Sequence, residues 1–173
     1  MPERRLMPTR SILTLLLLAC LTACTPLARN PDAVPASFEA SLTVLHQPGD
    51  TDADNQGLLA PARFVVESDG WLRAGRGTGV SRTTLPPRVR RLPAGDRDRL
   101  WTLVRDSGLL DPHDPVRIAS GNGPIPDRAR PLLVITTRTR DGLHAGAVPL
   151  RSSLAAPYLP MLELLHDRAW MSP

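Results

Sequence analysis

The sequence predicts an α+β domain in which an antiparallel β-sheet is covered by two α-helices. Three observations support this prediction. Several segments alternate apolar and polar residues and are joined by Asp-Gly pairs, which is typical of antiparallel hairpins. Two other segments carry apolar residues at helical spacing. The 173 residues of the chain allow one ordinary domain.

Four segments in the first half of the domain alternate well enough to be strands. The first places Ala40, Leu42 and Val44 on one face, and Asp69-Gly70 forms a tight turn between the second and the third. The fourth contains Pro86-Pro87, which confines it to a sheet edge or a bulge because proline cannot donate to a ladder. The four segments are residues 38–45, 63–68, 71–74 and 83–92.

The clearest helix is predicted over residues 96–107, with Asp96 as its cap and Gly108 at the left-handed position after its end. A second helix is predicted over residues 157–170, where Pro160 is tolerable in the first turn. Its apolar side consists of Tyr158, Leu162, Leu165 and Ala169.

A hairpin is predicted over residues 132–150, with its turn at Asp141-Gly142. This turn pairs Ile135 with Val148 and Leu133 with Leu150 on one face. The segment before the hairpin, residues 111–131, contains five prolines and is expected to be a long loop.

The N-terminal segment has the layout of a secretory signal, in which three arginines precede a short apolar run at residues 11–19. This run has too few apolar residues to span a bilayer. The following residues, Leu21-Thr22-Ala23-Cys24, resemble the lipobox of bacterial lipoproteins. The resemblance implies that residues 1–23 are removed and that the Cys24 sulfur receives a diacylglycerol. It also implies that the new amine is acylated by a fatty acid such as palmitate.

A second cysteine competes for the same role, because Leu17-Leu18-Ala19-Cys20 also ends in a thiol. Leu18 is bulky where the lipoprotein family prefers a small residue, so Cys24 is favoured. Thr25 follows Cys24, and the resemblance to Gram-negative lipoproteins then implies the outer membrane, facing the periplasm or the cell surface. Residues 24–37 are expected to be a flexible tether, and residues 38–173 a single domain without disulfides.

The charge pattern argues against a nucleic-acid partner. The net charge is +4, and all 21 basic residues are arginine. A nucleic-acid interface would show a clustered basic face. Here acids alternate with arginines, as in Asp96-Arg97-Asp98-Arg99, which favours a solvated surface. The membrane, reached through the lipid, and a protein of the cell envelope are the expected partners.

No motif predicts a metal or cofactor site. Asp50, Asp52 and Asp54 are spaced as in a calcium loop, but Asn55 and Pro61 replace the glycine and glutamate that an EF-hand needs. The chain has no HxH, HxxH or HExxH spacing for zinc. Gly75, Gly77 and Gly79 precede an extended segment instead of a helix, which excludes a dinucleotide loop. The histidines are His46, His113, His144 and His166.

Two constellations could be imagined as catalytic. Asp111-Pro112-His113-Asp114 is the one tight acid–imidazole cluster, although a proline-rich turn explains it more simply. A triad of Ser120, His144 and Asp141 has no supporting motif such as GxSxG. The chain is therefore predicted not to be an enzyme. The alternative is a metal-dependent or hydrolytic envelope enzyme that uses the His113/Asp114 region.

One further resemblance covers about two thirds of the mature chain. The run Leu92-Pro93 … Ser107-Gly108-Leu109-Leu110-Asp111, the following hairpin and the helix Pro157 … Leu162 … Leu165 resemble the small bacterial emfourin-type domains. Some of these inhibit thermolysin-like metalloproteases. One specific hypothesis is therefore that this domain inhibits a secreted metalloprotease and that the long loop of residues 111–131 is its contact segment. It transfers no site residues. The sequence thus predicts a lipid-anchored, non-catalytic binding domain outside the cytoplasm.

Overall fold

Six antiparallel strands and two α-helices make up the computed structural model of the protein within the residues it describes, which are 32–46, 57–77, 79–114 and 131–170. The strand order in the sheet is β4-β3-β2-β1-β5-β6. An α+β domain is therefore confirmed. In chain order the elements are β1 (Glu39–Leu45), β2 (Ala62–Val66), β3 (Trp71–Arg76), β4 (Arg88–Arg91), α1 (Ala94–Asp106), β5 (Leu132–Thr139), β6 (Gly142–Pro149) and α2 (Leu159–Trp170).

The first strand lies at the centre of the sheet, between β2 and β5. Its Leu42 is opposite Phe64 on one side and Ile135 on the other, and all three side chains are fully buried. Ala40 and Val44 share this face, as the alternation in the sequence predicts. The buried face of the sheet is thus set by every second residue of β1.

Both helices contribute to the core on this face. The last helix, α2, lies against β2 and β3, and α1 packs against α2. The short 3-10 turn Ser153–Ala155 contacts β6, and its Ala155 and the nearby Tyr158 are part of the same buried core. The expectation that two helices cover the sheet is therefore wrong in its extent: most of the sheet is not covered by helices, because α2 is centred on two of the six strands.

The β5–β6 hairpin forms where it was predicted, but its register differs by two residues. Leu133 pairs with Val148, and Ile135 pairs with Gly146. Thr139 pairs with Gly142, so the two turn residues are Arg140 and Asp141. The type I′ turn expected at Asp141-Gly142 would need positive φ at Asp141, and here Gly142 alone of the two has it, at 135°. A shift of two residues preserves the faces, so the apolar side chains still point the same way.

The helix boundaries also differ in detail from the prediction. The first helix starts at Ala94, and Pro93 stands at the N-cap position without a side-chain hydrogen bond. Asp96 is therefore inside the first turn and does not cap it. At the other end, Gly108 has φ +85°, as predicted for the residue after the helix. The second helix starts at Leu159, and Pro160 lies in its first turn.

The fourth strand is shorter than predicted because it begins after Pro86-Pro87. It covers Arg88–Arg91 and lies at the edge of the sheet, as the prolines require. Gly75 and Arg76 were predicted to belong to a loop, but they end β3, where they pair with Arg63 and Ala62. This extension of β3 places Arg76 beside the last helix.

The chain divides between Ala33 and Val34, and the unit from Val34 onward holds every strand and helix described above. The predicted signal, the lipid-attachment site Cys24 and its competitor Cys20 lie outside the described residues. So do residues 47–56, which include the calcium-like loop, and residues 115–130 of the predicted long loop.

Candidate functional site

An open pocket lies where the start of β2, the end of β3 and the end of α2 meet. Its cavity volume is about 440 Å³, which lies within the range of small-molecule sites. The 3-10 turn Gly57–Leu59 leads into one wall of it. The lining residues are Gly57, Ala60, Pro61, Ala62, Arg76, Gly77, His166 and Trp170.

A cation stacked on an aromatic ring forms the polar side of this pocket. The guanidinium carbon of Arg76 lies 4.3 Å from the centre of the Trp170 ring. A contact of this kind contributes about 0.5–1 kcal/mol at an exposed site. Because Arg76 is held by the strand and Trp170 by the helix, the stack joins the end of β3 to the end of α2.

The aromatic partner is anchored to the core. Trp170 and Phe64 meet edge to face, with ring centres 6.3 Å apart, and Phe64 is fully buried. The Trp170 indole nitrogen is buried and has no hydrogen-bond partner among the described residues. Packing, and not a polar contact, therefore fixes the ring on which Arg76 rests.

One helical turn before Trp170, His166 lines the same pocket, since residues four apart share one face of a helix. Its ring also meets Phe64 edge to face, at 6.5 Å between centres. Its Nδ1 lies 3.9 Å from a carboxylate oxygen of the exposed Asp167. His166 thus adds a second nitrogen-bearing ring to the rim of the cavity.

The arginine of the pocket has no carboxylate partner in the part of the chain that the structure describes. Other arginines of the domain are paired. Arg73 contacts Glu67 at 2.7 Å, and Arg88 contacts the other oxygen of Glu67 at the same distance. Arg168 contacts Asp96 through two hydrogen bonds of 2.6 and 2.9 Å. Arg76 therefore presents a positive charge that these contacts do not neutralise.

A second cavity, of about 570 Å³, lies between β4 and the start of α1. It is lined by Val89, Arg90, Arg91, Pro93, Asp96 and Arg168. Here the Asp96 carboxylate holds the Arg168 guanidinium, and this contact raises the pKa of Arg168 above its ordinary value. Asp96 and Arg168 of this cavity join the two helices, and Arg91 donates to the Asp69 carbonyl at 3.2 Å. The Arg76 pocket, which has no carboxylate among its described lining residues, is the stronger candidate for an anion site.

Two more arginines fix the segment between β3 and β4. Arg63 donates to the carbonyl oxygens of Ser81 and Thr84, at 3.0 and 2.9 Å, and Arg73 donates to that of Pro86 at 3.0 Å. Burial, and secondarily the nearby charge of Arg82, lower the pKa of Arg63. The arginine-rich composition thus serves the fold at several positions.

The acid–imidazole cluster that the sequence singles out has a local structural role. The backbone N–H of His113 donates to the Asp111 side chain at 2.8 Å, which is an Asx turn, and the His113 side chain is exposed. Asp114 accepts a hydrogen bond of 2.9 Å from the Tyr158 hydroxyl. The structure therefore ties Asp114 to the segment before α2 and leaves His113 at the surface.

The remaining candidates do not converge on one site. The His46 ring contacts the carbonyl of Leu59. His144 is opposite Thr137 in the hairpin, not opposite Thr139 as predicted, although its Nε2 is 3.5 Å from the Thr139 hydroxyl. Ser120, the third member of the imagined triad, lies outside the described residues. Among the residues that the structure describes, no group of three or more His, Cys, Asp or Glu side chains could hold a metal ion.

Sequence reasoning does not find the pocket. In the sequence, Arg76 lies between two glycines and His166 lies within the predicted second helix, and neither position indicates a binding site. The signal that could have found the site is Trp170 at the end of the last helix. Its ring is half-buried, so one side of it is available for contact with another side chain. That partner comes from a distant strand, and spacing in the sequence does not reveal it.

No protein-family model matches this chain, and a search of curated proteins finds none that matches it. The described residues contain no helix with the length and apolar character that crossing a membrane requires.

Proposed function

We propose that this protein is a lipid-anchored binding domain of the bacterial cell envelope. The resemblance of Leu21-Thr22-Ala23-Cys24 to a lipobox supports the anchor, since it follows a positive segment and a short apolar run. The pocket formed by Arg76, His166 and Trp170 supports a binding role. It offers a fixed cation, an aromatic surface and a cavity of small-molecule size.

The anchor has a simple physical basis. Burying an acyl chain gains about 0.8 kcal/mol per methylene, so one chain binds a membrane marginally and reversibly, whereas two or more hold it stably. A diacylglycerol on Cys24 would supply two chains and amine acylation a third. Residues 24–37, with three prolines, would then separate the folded domain from the lipid surface.

The observation that carries the proposal is the lipobox-like sequence ending at Cys24, and its test is lipid labelling. We expect Cys24→Ser to abolish incorporation of labelled palmitate and to slow removal of the signal. Cys20→Ser is the matched control, because it removes a thiol four residues away and should leave both intact. Labelling that survives Cys24→Ser and disappears with Cys20→Ser would show that the wrong cysteine is assigned. If the wild type and both variants all remained unlabelled, the lipid anchor would be refuted.

A narrower form of the proposal follows from the resemblance to emfourin-type domains. In that form the domain inhibits a secreted thermolysin-like metalloprotease. The order of α1, Gly108-Leu109-Leu110, the β5–β6 hairpin and α2 supports it. Its expected contact segment, residues 111–131, falls mostly outside the described residues.

A further inference from the structure

We infer that the Arg76–Trp170 pocket binds a small molecule or short peptide that carries a carboxylate on an apolar group. This inference rests on the proposed binding role and names the chemistry of the ligand. It depends on three properties of the pocket, which are the sign of its charge, the arrangement of its cation and the character of its walls.

The charge of the pocket selects an anion. Arg76 is the charged residue that lines it, and none of the described lining residues is an aspartate or glutamate. His166 contributes an imidazole, which is neutral or positive. A cationic ligand would meet the Arg76 guanidinium without a compensating carboxylate, whereas an anionic ligand would neutralise it.

The arrangement of the cation favours a carboxylate. The guanidinium carbon of Arg76 lies 4.3 Å from the centre of the Trp170 ring, so the ring covers one side of the cation, and a ligand can approach its N–H donors from the open pocket. A guanidinium edge matches the two oxygens of a carboxylate in one plane. Because the stack already restricts the arginine, less conformational freedom is lost when the ligand binds.

The walls beside the cation are apolar and fixed. Ala60, Pro61 and Ala62 line the cavity, and the Gly77 N–H donates to the Pro61 carbonyl at 2.9 Å, which holds the wall to the end of β3. At Gly57 and Gly77 an added Cβ would meet nothing within 4 Å, so the space next to both backbones is open. This combination suits the apolar part of a ligand next to its carboxylate.

The test uses the purified full chain in detergent and two probes that differ only in their charge, N-acetyl-L-phenylalanine and its amide. The chain has three tryptophans, so its NMR spectrum contains three indole N–H signals, and a Trp170→Phe variant assigns that of Trp170. We expect the carboxylate probe to shift the Trp170 signal saturably. The amide should bind at least about tenfold more weakly than the carboxylate probe.

The protein variants test the same contact from the other side. Arg76→Gln should weaken binding of the carboxylate probe about tenfold or more, whereas Arg140→Gln, which removes an exposed arginine at the β5–β6 turn, should leave it unchanged. The probe comparison uses unmodified protein, so the inference stays testable even if Arg76→Gln fails to fold.

Three outcomes would overturn the inference. The first is that the Trp170 signal does not shift at about 10 mM probe, a concentration well above a millimolar dissociation constant. The second is that the acid and the amide bind equally well. The third is that Arg76→Gln and Arg140→Gln weaken binding of the carboxylate probe equally. Competition by inorganic phosphate as strong as that by the carboxylate probe would also overturn it, because the site would then recognise an anion without its apolar group. Lipid labelling at Cys24 is measured separately, so failure of the anchor and failure of the ligand assignment give different results.

Discussion

The arginines of the folded domain have different roles, and the immediate partners of each one determine its role. Arg73 lies between Glu67 at 2.7 Å and the Pro86 carbonyl at 3.0 Å, so the fold uses both its charge and its donors. Arg168 is held by Asp96 in the same way. Arg76 stacks on Trp170, and no carboxylate among the described residues pairs with it. It is therefore the arginine best placed to bind a ligand.

Sequence reasoning could predict the local surroundings of single residues but not their distant partners. The interleaved run from Asp96 to Arg99 suggested a solvated surface, and Asp98 and Arg99 are indeed exposed. Asp96 is nearly buried and pairs with Arg168 of the other helix. Pairs like this one, and like Arg76 with Trp170, form only when distant elements pack together, so spacing along the chain does not specify them.

The buried tyrosine gives a pH dependence that can be measured at one residue. Tyr158 is 2% exposed, and burial raises the pKa of its hydroxyl above the ordinary value, with further increases from the hydrogen bond and the charge of Asp114. The folded protein therefore keeps this proton at a pH where the unfolded chain loses it. The stabilisation is complete below the unfolded pKa of about 10 and decreases as the pH rises above it.

We expect the urea midpoint of the wild type to fall more steeply above about pH 10 than that of Tyr158→Phe, because phenylalanine has no proton to lose. The chain has one tyrosine, so tyrosinate absorbance reports the ionisation of Tyr158 alone. The assignment would be contradicted if Tyr158 of the folded protein were half-ionised at the pKa of free tyrosine. It would also be contradicted if the urea midpoints of the two proteins fell equally steeply with pH.

Glycine positions determine how the elements of this fold are connected. After β2, the Glu67 N–H donates to the Trp71 carbonyl, and Gly70 takes a φ of 86° in the loop between them. At the start of β6, Gly142 takes a φ of 135°. The alternating pattern was enough to predict the strands. It was not enough to fix the register of the second hairpin, because the pattern is unchanged by a shift of two residues.

Gly108 is a described glycine at which a substitution is expected to be costly. Its φ is +85°, and an added Cβ would lie 2.9 Å from the Asp114 carboxylate oxygen that binds Tyr158. We expect Gly108→Ala to destabilise the fold by roughly 1–2 kcal/mol or more, since alanine is strained in the left-handed region and displaces Asp114. The measurement is urea unfolding.

The matched control is Gly95→Ala in the first turn of α1, where an added Cβ would meet nothing within 4 Å. Alanine favours a helix over glycine by up to about 1 kcal/mol, so this variant should be unchanged or slightly more stable. If Gly108→Ala were as stable as Gly95→Ala, the helix end would not need its left-handed residue.

The folded unit from Val34 onward has one hydrophobic core, and no disulfide is present among its described residues. Side chains from β1, β2, β3, β5 and β6 meet both helices in one cluster. The class, the strands and the two helices could be predicted from apolar spacing and turn residues. How far the helices cover the sheet could not, because this depends on where α2 lies across the strands.

The proposed role depends on a lipid-attachment motif and a ligand pocket, and the sequence alone reveals the first but not the second. The lipobox-like segment is contiguous, so it can be recognised from four residues ending at Cys24. The pocket combines residues from β3 and α2 with the turn before β2, so it exists only in the folded chain. Together they support the proposal of a domain that is held at a membrane surface by its lipid and that binds an anionic ligand.

The intact mass of the protein purified from bacterial membranes tests the anchor most directly. We predict a polypeptide that begins at Cys24 and exceeds its sequence mass by a diacylglyceryl group and one amide-linked fatty acid. A mature chain with an unmodified amino terminus, or a chain that retains residues 1–23 and is found in the cytosol, would contradict the proposal.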